Sequence, residues 1–256
     1  MFINSDYDIR KRKEELKISG FTVFKGIIDK SFLKNMEFEA IKFSWGNIGN
    51  AEINVIETTE KCVLSSSHNL YASLKIYSDL YNSPEISELY YKLIGNEPNK
   101  NEQINSSYFF KANESKEIKI HQDNAYFNLY SGIDCLTFYI PIHNQSKKRG
   151  TIFYFAGSHL LGDLEHVPNG NIGASMCLLK NSFLKDFKIK YLNLEPGDVV
   201  VHNALVVHGT LPNPKNYLCE AFNFTLFGKF NKINNLKYQN YKNKLKKFLL
   251  KQKRLH

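Results

Sequence analysis

Between residues 105 and 228 the chain reads as a succession of short strands. Eight runs follow one another: SSYFFKA, IKIHQD, CLTFYIPI, TIFYFAG, KYLNLE, DVVVH, ALVVHGT and EAFNFTLFG. They are rich in β-branched and aromatic residues, and Asn113, Asn144, Gly150, Gly197 and Pro212 punctuate them. A sheet with an apolar face must bury it against a second sheet or close on itself, so many short strands with regular turn signals form a sandwich or barrel. The expected fold class is mainly β with helical decoration.

The decoration lies at both ends. Residues 8–18 read as a charged surface helix ending at Gly20, and FTVFKGII (21–28) as a short strand. Asp29 is placed to cap a helix over 30–45. Two helical stretches are expected within 70–95, the second (84–94) with Pro84 near its start and Gly95 past its end. The last 25 residues carry Tyr241, Leu245, Phe248 and Leu249 on one helical stripe, which predicts packing on the body. This gives one domain over 1–256, with a helical amino-terminal part (1–104), a β-core (105–228) and a basic carboxy-terminal helix (229–256).

Charge is unevenly spread. The net charge is +9, yet residues 229–256 alone hold ten Lys or Arg and no acid. The basicity belongs to the tail, either as a solvated helix face or as a contact for an acidic partner, a membrane surface or an anionic substrate. No nucleic-acid-binding motif accompanies it. No apolar run reaches the ~18 residues of a membrane span. The start of the chain has no apolar segment of the secretory kind. Cys62, Cys135, Cys177 and Cys219 form no CxxC pair and read as free buried thiols. The expected location is cytoplasmic.

Two segments carry chemistry. In IKIHQDNAYF, His121 and Asp123 are two apart, so an extended backbone would project both from one face. Alone, this is equally a surface hydrogen-bonded pair. In LEPGDVVVHNALVVHGT, a Gly-Asp turn leads through an apolar strand to His208. Two His and one carboxylate on one face of an octahedron form the facial triad of non-haem Fe(II) oxygenases, with open positions for cosubstrate and O2. The same set also suits a Zn hydrolase. His202 reads as a satisfied core histidine, or the alternative ligand if the register differs. His159 reads as structural. His68, His143 and His166 fall in expected loops.

Taken in order, these segments resemble the phytanoyl-CoA dioxygenase (PhyH-like) family of Fe(II)/2-oxoglutarate oxygenases. GFTVFKGIIDKSFLKNM, HQDNAYF, GTIFYFAGSH and GDVVVHNALVVHGTLPN match it in sequence and in interval. The resemblance implies a double-stranded β-helix (jelly-roll, cupin-like) core with His121, Asp123 and His208 as iron ligands. Thr210 matches the hydroxyl residue that helps bind the 2-oxoglutarate carboxylate. Tyr108 and Phe127 fall where the family lines the cosubstrate pocket. In related halogenases a small residue replaces the carboxylate, so Asp123 implies hydroxylation or a related oxidation of a small molecule.

One position departs from the family. The Arg that grips the far carboxylate of 2-oxoglutarate, eleven residues after the distal His, is here Cys219, flanked by Leu218 and Glu220. Lys215, in the turn before this position, and Lys111, on the strand before the metal pair, are the candidate substitute cations. The alternatives are a different cation, a different cosubstrate or lost activity. A silent β-helix domain that binds a metabolite or partner is the rival from another class.

Overall fold

The structure, a computed structural model, describes residues 1–2, 7–57, 62–102, 104–110, 116–170, 174–213 and 217–252. In chain order its elements are α1 (Ile9–Ser19), β1 (Phe21–Phe24), α2 (Lys30–Gly46), β2 (Ile53–Glu57), β3 (Cys62–His68), α3 (Leu70–Ser73), α4 (Lys75–Tyr81) and α5 (Pro84–Ile94). Then come β4 (Ser106–Phe109), β5 (Ile118–His121), α6 (Asn124–Phe127), β6 (Leu136–Pro141), β7 (Ile152–Phe155), β8 (His166–Pro168) and β9 (Met176–Leu178). The chain continues through β10 (Ile189–Tyr191), β11 (Val199–Asn203), β12 (His208–Thr210), β13 (Ala221–Leu226) and α7 (Asn235–Lys251).

Two antiparallel sheets face each other. The larger runs β1-β11-β6-β13-β4-β3-β2, the smaller β10-β7-β12-β5. This is the expected jelly-roll, and all eight runs read from the sequence lie in it. The larger sheet is two-faced. Leu136, Phe138, Ile140, Phe222, Phe224 and Leu226 point to the helical layer and form the main core with Leu33, Met36, Tyr77, Leu80 and Leu89. Burying each such side chain contributes ~1.5–3 kcal/mol, so this layer holds the sheet flat against α2, α4 and α5.

The helix ends follow local chemistry. Asp8 accepts from the N–H groups of Arg10 and Lys11, and α1 stops at Gly20, whose φ of 81° suits a residue without Cβ. Asp29 caps α2 through Phe32 N–H, and Ser83 caps α5 before Pro84. His159 caps this end of α1: its Nε2–H donates to Lys17 O (3.0 Å), and a Cβ on Gly20 would stand 2.7 Å from its Nδ1.

Several expectations need correction. The amino-terminal part supplies three strands, two of them (β2 and β3) unforeseen, and they extend the larger sheet beyond β4. CVLSSSH lacks an alternating apolar signal because its Ser side chains are satisfied by partners on both faces of the sheet. Residues 70–95 form three helices, not two. No disulfide forms among the four cysteines, but Cys62 is exposed and Cys177 only half-buried. On α7, Tyr241, Leu245, Phe248 and Leu249 are half-buried while most of the helix is exposed, and the helix packs on α6 and β8.

Candidate metal centre

His121 closes β5 and His208 opens β12, and the two strands pair so that these residues stand directly opposite each other. Their ring centroids are 4.4 Å apart. Asp123 is not on the strand as the i, i+2 reading supposes: it has helical torsions (φ −64°, ψ −32°) and begins α6. The turn delivers its carboxylate all the same. Asp123 Oδ1 lies 3.5 Å from Nε2 of both His121 and His208. One ligand atom from each of the three buried residues lies within 4.8 Å of the others.

Gln122, between the two ligands, fixes that turn. Its backbone N–H donates to His166 Nε2 (2.9 Å), its side-chain amide donates to Gly162 O (2.8 Å) and Leu205 O (2.6 Å), and its Oε1 accepts from Leu164 N–H (2.8 Å). His166 donates from Nδ1 to Leu164 O (2.8 Å). It therefore sits on β8 as a buttress and not in a loop without a role. The only sequence signal for this was the polar residue inside an otherwise strand-like run.

The polarity of the three ligands is set from behind. His121 Nδ1–H donates to Lys119 O (2.8 Å) and His208 Nδ1–H to Val206 O (3.0 Å). This fixes both tautomers and leaves each Nε2 as the lone-pair atom. Asp123 Oδ2 accepts from Thr137 Oγ1 (2.6 Å) and from His202 Nε2 (3.0 Å), leaving Oδ1 toward the histidines. Tyr154 OH lies 2.9 Å from His202 Nδ1. His202 is thus a buried, satisfied histidine, as read from the sequence, and the group it satisfies is the carboxylate of the triad. Burial, together with neighbouring His121, pushes His208 down to about 3, which keeps its ring neutral. Burial alone would raise Asp123, but the imidazoles of His208, His121 and His202 gathered around it outweigh burial and hold the carboxyl well below its usual range.

The other expected residues divide. Thr210 is two along β12 from His208, on the same face, and its Oγ1 accepts from Ile118 N–H (3.1 Å). Tyr108 is not brought to the triad. It faces the helical layer, where its hydroxyl donates to Glu220 Oε2 (2.6 Å). Glu220 belongs there to a second cluster with Glu37 and His143. Phe127 packs with Leu129, Cys135, Ala204 and Phe227. Cys219 is buried, its Sγ 3.4 Å from Gly150 O. Arg149, next to that glycine, stacks its guanidinium over the Tyr217 ring at 4.9 Å. Lys111 and Lys215 lie outside the described residues.

A jelly-roll with two imidazoles and one carboxylate converging inside it defines a class, the facial-triad metalloproteins. Within that class, the chain belongs to the phytanoyl-CoA dioxygenase (PhyH) family, whose model matches residues 19–214. It is 28% identical over 145 residues to 1-deoxypentalenic acid 11-beta-hydroxylase of Streptomyces arenae, a match over 54% of this chain and 50% of that protein. The chain thus spans about half the length of the curated relatives it matches. Its fold is similar to the non-heme alpha ketoglutarate dependent epimerase SnoN from nogalamycin biosynthesis (TM-score 0.70, 18% identity, 87% of this chain and 84% of that one). It is also similar to EctD from S. alaskensis, solved with 2-oxoglutarate and 5-hydroxyectoine (TM-score 0.68, 14% identity, 88% and 78%).

Proposed function

We propose that the protein is an Fe(II)/2-oxoglutarate-dependent oxygenase that hydroxylates, or otherwise oxidises, a small molecule. The observation that carries this reading is the directed donor set: Nε2 of His121, Nε2 of His208 and Oδ1 of Asp123 converge, while Nδ1 of each ring and Oδ2 of the carboxylate are engaged elsewhere. A closed structural site would use four protein ligands. Three ligands on one side leave positions for other molecules, so the residues fit the metal that the family implies.

In this reading His121, Asp123 and His208 hold Fe(II), and the metal with 2-oxoglutarate supplies O2 activation for attack on an unreactive C–H bond. The chain's own part is orientation and dryness. Thr137 and His202 fix the carboxylate, and Lys119 O and Val206 O fix the rings. Tyr126 meets the His121 ring edge-on at 5.5 Å, and Tyr154 lies 5.6 Å from the His208 ring, which screens both from bulk water. Thr210 contributes a hydroxyl to the cosubstrate carboxylate. Lys111 supplies the cation in place of Cys219.

The domain spans 1–256, and four cysteines that form no disulfide support a reducing, cytoplasmic location. Among the described residues no helix is long and apolar enough to cross a membrane. The test is O2-dependent conversion of 2-oxoglutarate to succinate by Fe(II)-loaded protein. The reading expects slow turnover without substrate, lost in Asp123→Ala. Turnover that survives in that variant would contradict it.

A further inference from the structure

The inner face of the larger sheet carries a row of polar side chains that extends well beyond the one contact, Thr137 to Asp123, that metal binding uses. It begins at Asp123, which accepts from Thr137 on β6; Thr137 Oγ1 lies 3.0 Å from Thr225 Oγ1 on β13. Two residues along β13, Asn223 Oδ1 accepts from Asn105 Nδ2 (3.1 Å), and Asn105 Oδ1 accepts from Ser107 Oγ on β4 (2.7 Å). Ser107 Oγ lies 2.7 Å from His68 Nδ1 on β3, whose Nε2 lies 3.0 Å from Ser66 Oγ. Ser66 Oγ accepts from Asn54 Nδ2 on β2 (2.9 Å).

The register makes the row continuous: Thr137 stands opposite Thr225, Asn223 opposite Ser107, and Ser107 opposite His68. Directly opposed residues share a face of the sheet, so all these side chains point the way Thr137 does, toward Asp123.

On their helix-facing side β6 and β13 are wholly apolar, so the polarity inside is not a failure to make a core. Asn54, His68, Asn105 and Asn223 are half-buried, which leaves them reachable. At the described inner-face positions of β4, β6 and β13 there is no Lys, Arg, Asp or Glu. Burial pushes His68 down to about 4, so its ring is uncharged and meets hydroxyls at both nitrogens. Amides and hydroxyls both donate and accept. An acyl chain laid on this row would cut them off from water at a cost of ~1–3 kcal/mol for each group left unpaired. An anion would find no counter-charge. Phe109, the next inner-face residue of β4, meets His68 edge-on at 6.0 Å and adds one aromatic surface.

We infer that this row is the substrate-recognition wall, and that the part of the substrate it holds is uncharged and rich in hydroxyl groups, as in a sugar ring or polyol. The inference rests on the oxygenase reading.

The test is saturation-transfer NMR on full-length protein loaded with Zn2+ and 2-oxoglutarate, with a set of methyl hexopyranosides and octanoate as probes. Calorimetric 2-oxoglutarate binding is the control. The expected result is transfer to at least one glycoside, reduced fivefold or more by Asn54→Ala, with 2-oxoglutarate binding unchanged. If 2-oxoglutarate binds and no glycoside shows transfer, or octanoate alone does, the inference is overturned while the oxygenase reading stands. If 2-oxoglutarate does not bind, the oxygenase reading falls and takes the inference with it.

Discussion

His202 Nε2 stands 3.0 Å from Asp123 Oδ2, at 1% exposure, with the Tyr154 hydroxyl on its other nitrogen. The carboxylate can only accept when ionised, so Nε2–H donates to it, and in the neutral ring Nδ1 accepts from Tyr154. This relay holds Oδ2 back and presents Oδ1. Partners of this kind, behind a metal ligand, are worth ~10–100-fold in metal affinity. We predict that loss for His202→Ala, read by calorimetric titration with Mn2+, with partial recovery in His202→Gln, which keeps a donor. Unchanged affinity in His202→Ala would mean that the pair is only structural packing.

Gly209 separates His208 from Thr210 on β12. A Cβ there would stand 2.8 Å from Ile118 O and 3.2 Å from the Phe153 ring. Ile118 O is backbone, so β5 must move, and β5 carries His121. Gly209→Ala is expected to lower both the melting temperature and Mn2+ affinity. Gly46→Ala, where no atom lies within 4 Å, is expected to leave metal affinity unchanged.

Glu220 gives the fold a pH dependence. Burial raises it from 4.5 to about 7, against the lowering effect of the Tyr108 hydrogen bond. Below pH 4.5 the group is neutral in both the folded and unfolded chain. Between 4.5 and 7 the unfolded chain releases the proton first, so this group's contribution to stability falls as pH rises, by ~3 kcal/mol in full. Glu220→Gln removes the effect. In urea titrations at pH 5 and pH 8 the wild type should lose more stability than the variant by about that amount. Equal losses would show that Glu220 is ionised throughout.

Much of this was legible in the sequence. The eight β-core runs were visible because each alternates or clusters β-branched and aromatic residues between turn formers. The convergence of His121, Asp123 and His208 is expected from the family resemblance; the spacing alone supposes a strand at Asp123 where the chain turns into α6. What could not be read was anything decided by which face a side chain takes. Tyr108 was expected at the cosubstrate pocket, but a single-residue step in strand register turns a side chain to the opposite face, and it meets Glu220 under the helices. His68 and His166 were read as loop residues because three-residue strands and a Ser-rich strand carry almost no periodic signal. The role of His202 depends on a contact across 79 residues that no local pattern encodes.

For the cosubstrate cation, Lys111→Ala is expected to weaken 2-oxoglutarate binding tenfold or more without changing Mn2+ affinity, and Lys215→Ala to change neither. Calorimetry on Mn2+-loaded protein separates the two effects. A loss in Lys215→Ala instead would move the anchor to the segment before Cys219.

The most direct test of the central claim is anaerobic titration of Fe(II)-loaded protein with 2-oxoglutarate, followed by visible absorption. Chelation of the metal by the cosubstrate gives a weak charge-transfer band, and the account predicts that the band appears and is lost in His121→Ala. Iron bound with no band on saturation with 2-oxoglutarate would contradict it.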